Sequence, residues 1–437
     1  MNKKNIFISY SWKNMEIANE IEKDLELVQF NFKRDVHDID YKSSISSFME
    51  EIRNSDFALI LISDSYLKSK NCMKEVLHIL KEKDFKDKIL PIIVDKVSIY
   101  TSEGRLGYTT YWQNEKQKLE ALISSFPATS IIKEIEELKA IENIASTINE
   151  FLSYISDIKN IKFDELKNEN YKSILESLGG VDVSHYISLL AIALQEDIDK
   201  KEAMLDKWFD ENKPVSEAYG IRASIAEDRK NIPKAKYNYE KSIELNNKNF
   251  VSLNNYGFLL LQLKEDLEKA KELFEKAIEL SPELNQARLN LGVLFSGHFN
   301  DYEKAKEQYE KIISYDPTEY RAYSNLTNYY KSQPRSKENN EKICQLYEKA
   351  ISLKADFFEA RFGYGNFLSE NMGLHEHAKV QYNEMKRIDL NSKDLVEVLI
   401  KRANKLSLEK DRTRKISRND SCFCGSGKKY KKCHVLL

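Results

Sequence analysis

The chain has little glycine and little proline, 13 and 7 in 437 residues. So few turn formers exclude a collagen-like or low-complexity polymer and an all-β protein built on tight turns. Cysteine is scarce as well. Of Cys72, Cys344, Cys422, Cys424 and Cys433, three fall in the last sixteen residues, so no disulfide framework runs through the chain. Long apolar runs are missing. The longest, 57–62 and 89–94, are strand-sized, far short of the ~20 residues a membrane helix needs, so no membrane partner is expected. The opening MNKKNIFISYSW shows neither the apolar stretch nor the small-residue cleavage site of a secretory signal. A reducing, cytoplasmic setting is the expectation. Charge of one sign is lacking too: the net charge of −2 excludes a uniformly basic nucleic-acid binder.

What is present is length, charge and apolar residues in helical amounts. The 437 residues predict two to four domains; 41 % apolar residues are enough for packed cores, and 32 % charged residues favour long, charge-laced helices. In residues 1–157, short apolar runs alternate with amphipathic stretches. The runs at 6–9, 30–32, 57–62 and 89–94 read as strands, the last two covered on both faces because they are apolar throughout. Helical spacing marks 17–28, 45–52, the stripe Met73, Val76, Leu77 and Leu80, and a long closing helix at 131–155. This alternation predicts a parallel α/β sheet. Residues 158–212 read as a helical connector.

From 213 to 390 the chain repeats itself in about five units: PKAKYNYEKSIELN, EKAKELFEKAIELSP, EKAKEQYEKIISYDP, EKICQLYEKAISLK and EHAKVQYNEMKRIDL. Their small residues Ala235, Ala270, Ala305, Cys344 and Ala378 are 35, 35, 39 and 34 apart. Gly257, Gly292 and Gly365 lie thirteen residues before three of them, and Arg222 holds that place in the first unit. A period of ~34 residues with this grammar resembles tetratricopeptide (TPR) repeats, which implies a solenoid of paired helices and a concave surface for an unknown protein or peptide. Asn254, Asn255, Tyr256, Asn290, Asn325 and Tyr329 fall on the first helices, where the aromatics read first as repeat core.

In doubly wound parallel sheets, ligands bind beyond the carboxyl ends of the strands. Segments 9–14, 33–44 and 63–75 are expected at that edge. The third brings Cys72 and Glu75, both expected in the first turn of a helix, where the dipole favours a carboxylate. FISYSWKN, RDVHDIDYKSSI and SDSYLKSKNCMKEV resemble the three sequence blocks of a bacterial TIR domain, and YWQNEKQKLE around Trp112 fits a later helix of that group. The resemblance implies a flavodoxin-like fold, cleavage of NAD between nicotinamide and ribose, self-association, and a catalytic role for Glu75. It also implies that Phe7, Tyr10, Ser11 and Trp12 line the nicotinamide end. Arg34 and Asp35 would begin a loop used for substrate access and assembly, and Cys72, a small packing residue rather than a nucleophile, would belong to the substrate-binding set. Asn71 stands where many members carry tryptophan, and YKSSISS lacks the glycine that some have. Nicotinamide leaves from a cationic pyridinium, so no acid need protonate it. One carboxylate can stabilise the oxocarbenium-like transition state. His37 and His78 read as ordinary polar residues.

The end of the chain changes character. Residues 401–437 carry a net +9, leaving −11 on the rest. Within CFCGSGKKYKKCH, Cys422, Cys424, Cys433 and His434 give C-x-C-x8-C-H, a donor set suited to tetrahedral Zn²⁺. This resembles the SEC-C motif, with zinc in a structural role. The surrounding lysines, with Arg412, Arg414, Lys415 and Arg418, could meet an acidic protein or RNA, or be merely solvated. The predicted organisation is multidomain, α/β plus all-α: a TIR domain at 1–157, a helical connector at 158–212, TPR repeats at 213–390, a basic linker at 391–416 and a SEC-C motif at 417–437. The resemblance as a whole implies a regulated NAD glycohydrolase in antiphage immunity. The alternative is a non-enzymatic TIR adaptor that assembles through TIR and TPR contacts.

Overall fold

The computed structural model describes residues 4–28, 30–34, 54–80, 85–124, 126, 131–158, 160–177, 184–282 and 284–411. The helix expected at 45–52, Asp35, and all four residues of the expected zinc set lie outside them. The chain divides into two compact units, residues 1–256 and 257–437.

The first unit is built on five parallel strands: β1 (Asn5–Ser9), β2 (Asn31–Lys33), β3 (Phe57–Ile62), β4 (Ile89–Ile93) and β5 (Ile161–Lys162), in the order β2-β1-β3-β4-β5. The chain steps from β1 to one side and then returns to place β3 on the other. The direction of winding therefore reverses at β1, and the carboxyl ends of β1 and β3 frame the switch point of the sheet. Pro91 is accommodated because β4 pairs with β5 only at Ile92 and Ile93, beyond the proline.

Alternation along the strands builds two cores. Phe7, Ala58, Ile60 and Ile62 face one layer; Ile6, Ile8, Leu59 and Leu61 face the other. The first layer contains α2 (Asp64–Leu67), α3 (Lys70–Ile79), α5 (Ser102–Ile123) and α6 (Ile132–Asp157), with α4 (Phe85–Lys88) tied to α6 by the Tyr154 hydroxyl, which donates to Lys86 O at 3.1 Å. Its apolar stripes are the expected one, with Met73 and Val76 buried, and Ile144, Ile148, Phe151 and Ile155 of α6. The second layer begins with Ala18 and Ile21 of α1 (Met15–Asp24).

That second layer corrects the expected boundary at 157. The edge strand β5 lies beyond it, as do Phe163, Leu166, Tyr171, Ile174 and Leu175 of the same core, carried by or beside α7 (Phe163–Asn168) and α8 (Lys172–Ser177). Leu190 of α9 (Ser184–Ala193) joins them. Residues 158–212 are therefore not a mere connector: their first part completes the α/β core. Their last part, α9 with α10 (Ile198–Glu211), packs through Leu189, Leu205 and Trp208 on Ala218, Ile221 and Ile225 of α11 (Ser216–Asp228). Arg222, at the glycine position of that first repeat, lies 3.7 Å from the centre of the Phe209 ring and pairs with Asp206 at 2.6 Å.

The repeats are helix pairs at the expected places. α11 and α12 (Ile232–Leu245) form the first, and α13 (Phe250–Leu263) and α14 (Leu267–Leu280) the second. The others are α15 (Asn285–Leu294) with α16 (Tyr302–Tyr315), α17 (Tyr320–Ser332) with α18 (Lys337–Leu353), and α19 (Phe358–Asn366) with α20 (His375–Ile388). A further helix, α21 (Lys393–Asp411), covers the last pair with Val396, Leu399 and Ala403. It occupies part of the stretch expected as linker. Each second helix carries a buried aromatic: Tyr239, Phe274, Tyr309, Tyr347 and Tyr382. Gly292 and Gly365 exist because of them. A Cβ at Gly292 would stand 2.5 Å from the Tyr309 ring, and one at Gly365 2.4 Å from the Tyr382 ring.

Candidate functional site

Ser9 is the last residue of β1 and shares the parity of Phe7, so the strand period turns its hydroxyl toward the α3 layer. Beyond β3 the chain turns at Ser63, whose hydroxyl caps α2 by accepting the Tyr66 backbone N–H at 3.0 Å. That cap sets Tyr66 under the edge. Ser69 caps α3 in the same way, accepting from Cys72 N at 3.4 Å. Glu75 is the sixth residue of α3, not a first-turn residue as expected, so it lies one turn past the strongest part of the helix dipole.

Glu75 is the single carboxylate on the buried face of α3, among Cys72, Met73, Val76 and Ile79, and is 5 % exposed. Its Oε2 accepts the Ser9 hydroxyl at 2.6 Å. The Ser9 Oγ is also 2.6 Å from the Tyr66 hydroxyl. Both distances are in the short range of charge-assisted and strongly coupled O–H···O bonds. Burial first, then the neighbouring Cys72 and Glu75, raises the Tyr66 hydroxyl well above the ordinary tyrosine range. Nearby, Ser63 donates to Asn14 Oδ1 at 2.7 Å and Tyr108 donates to Asp64 Oδ1 at 3.1 Å. Tyr108 is pushed up to about 12 by burial, then by Asp64. Trp112 of α5 donates its indole N–H to Leu67 O at 2.9 Å, pinning the end of α2.

The expected site residues separate into two groups. Cys72 and Phe7 lie in the same layer as Glu75. Phe7 is wholly enclosed in the core, so it supports the edge from below and cannot itself line an open cleft. The Cys72 thiol donates to Tyr10 O at 3.4 Å, which ties α3 to the end of β1 and makes it a packing residue. Tyr10 points to the opposite layer, where the Arg34 guanidinium sits 5.8 Å from its ring centre. Arg34 is not an open loop residue: it is 4 % exposed, pairs with Glu22 at 2.6 Å and donates to Asn19 at 2.5 Å, both on α1. Ser11 is buried and Trp12 exposed at the rim. Ser9 and Tyr66 were not singled out from sequence; the alternation in IFIS and the Ser63 to Tyr66 spacing were their signal. An open cavity of about 590 Å³ bordered by Leu80, Lys86, Tyr100, Arg105, Glu150 and Tyr154 contains none of the expected site residues. Among the described residues no cluster of His, Cys, Asp and Glu is arranged to hold a metal ion. No helix among them is long and apolar enough to cross a membrane.

A TIR-domain family model matches residues 6–123, a tetratricopeptide-repeat model matches 251–284 and 286–319, and a SEC-C model matches 418–434. The chain carries a TIR domain, TPR repeats and a SEC-C motif. Over 60 residues it is 43 % identical to the protein translocase subunit SecA of Ruthia magnifica subsp. Calyptogena magnifica, a match spanning 14 % of this chain and 6 % of that relative's length. Solved structures similar to it include the pilF protein of Pseudomonas aeruginosa, 17 % identical with a TM-score of 0.41, covering 53 % of this chain and 96 % of that one. A tetratricopeptide repeat protein from Parabacteroides merdae is 16 % identical with a TM-score of 0.40, covering 67 % and 99 %. The presence of a TIR domain with TPR repeats supports a signalling or scaffold protein in broad class.

Proposed function

We propose that this chain is a regulated NAD glycohydrolase whose TIR domain releases nicotinamide from NAD, leaving ADP-ribose or its cyclised form, and that it serves as an antiphage effector in the cytoplasm. The observation that carries the reading is the place of Glu75: a carboxylate held at the β1/β3 switch point by the last residue of β1. Ligand sites of parallel α/β sheets lie at that point. An oriented carboxylate there can stabilise positive charge developing on the ribose as the pyridinium leaves. Trp12 at the rim offers a face for the nicotinamide. Assembly through TIR domains would switch the activity, and the repeats and tail would engage the triggering protein or peptide. Cys422, Cys424, Cys433 and His434 would hold a structural Zn²⁺, three thiolates and an imidazole being a donor set that zinc favours.

The adaptor reading draws on one observation, the near-complete enclosure of Glu75. Product chromatography decides between the two. Incubating the full chain with NAD is expected to yield nicotinamide with ADP-ribose or a cyclic isomer. Recovery of intact NAD from folded, assembled protein would overturn the enzyme reading in favour of the adaptor.

A further inference from the structure

The buried face of α3 is apolar except for Glu75, and burying a carboxylate costs several kcal/mol unless it is bonded. One bond comes from Ser9, 66 positions earlier, at the end of β1. Proton accounting fixes the direction of the chain of bonds. An ionised carboxylate only accepts, so the one hydrogen of Ser9 goes to Glu75. The lone pairs of Ser9 then accept, and the hydroxyl within reach is that of Tyr66, which donates. Tyr66 has no accessible surface, and Ser9 is 1 % exposed. Tyr66 is itself held at its backbone by the Ser63 cap. The three side chains come from β1, α2 and α3 and meet where those elements converge.

We infer that Ser9 and Tyr66 are positioning residues for Glu75: Tyr66 fixes the Ser9 hydroxyl, and Ser9 fixes the plane of the carboxylate that meets the ribose. This deepens the reading of Glu75 as the catalytic carboxylate and rests on it. Misplacing a catalytic group by a fraction of an ångström lowers turnover more than it lowers binding, because charge develops only in the transition state.

The test is steady-state nicotinamide release from NAD by the full chain, comparing wild type with Ser9→Ala, Ser9→Thr and Tyr66→Phe, with melting curves alongside. Ser9→Ala is expected to lower kcat about tenfold with KM within about twofold. Ser9→Thr, which keeps the hydroxyl, restores most of that loss, and Tyr66→Phe lowers kcat about threefold. Wild-type kcat in Ser9→Ala, or Ser9→Thr as slow as Ser9→Ala at equal melting temperature, would overturn the inference. A wild-type chain that releases no nicotinamide defeats the catalytic reading of Glu75 and the inference with it. That result is distinct from one in which the wild type turns over and Ser9→Ala keeps pace.

Discussion

The sheet edge and the helical repeats solve opposite problems. At the edge, Ser9, Tyr66 and Glu75 form one buried polar set used once, with each group satisfied by another from a distant stretch of chain. In the repeats one apolar device recurs: an aromatic on the second helix against a small residue on the first, as in Tyr309 over Gly292 and Tyr382 over Gly365. Polar burial tolerates no missing partner, whereas a repeated apolar contact fails locally. Mutations at the edge should therefore speak through chemistry, and mutations in the repeats through stability.

The largest effect expected is on where the first of these regions ends. A fragment of residues 1–157 lacks β5 and the Phe163, Leu166, Tyr171 and Leu175 side chains of the second layer. It should show no cooperative thermal transition, whereas residues 1–195 should. Next comes the repeat device. Tyr382→Ala empties a fully packed position and should cost about 3–5 kcal/mol by urea titration while leaving nicotinamide release unchanged. Gly292→Ala should cost about 1–3 kcal/mol, since the Tyr309 ring must give way. A subtler difference separates the regions by pH. Burial, then Glu22, raises the Glu26 carboxyl from 4.5 to about 7, against a smaller opposing pull from Lys23. Between those values the native state keeps a proton that the unfolded chain has released, so this group makes stability fall as pH rises from 4.5 toward 7. Melting curves of Glu26→Gln should lose that part of the fall.

Legibility followed the distance over which each signal acts. β3 was readable because Phe57–Ile62 is apolar throughout, and the repeats because 35-residue spacings recur. β5 was not: two residues, Ile161 and Lys162, carry no period, and only pairing with β4 makes them a strand. Glu75 is singled out by its motif, but its turn on α3 was misplaced because Ser69, not a residue nearer Glu75, caps the helix. Arg34 follows β2 as expected, but its burial was hidden, because nothing in the order of its partners Asn19 and Glu22 on α1 announces the pairing. The Ser9–Tyr66 contact spans 57 positions and was equally hidden.

The most direct measurement is the initial rate of nicotinamide release by the full chain at saturating NAD, with wild type and Glu75→Gln matched for melting temperature. Glu75→Gln keeps the shape and the capacity to accept from Ser9 but removes the charge. The account predicts a loss of at least about 100-fold at unchanged stability. Equal rates in the two proteins would contradict it, and would move the chemistry, if any, away from the β1/β3 edge.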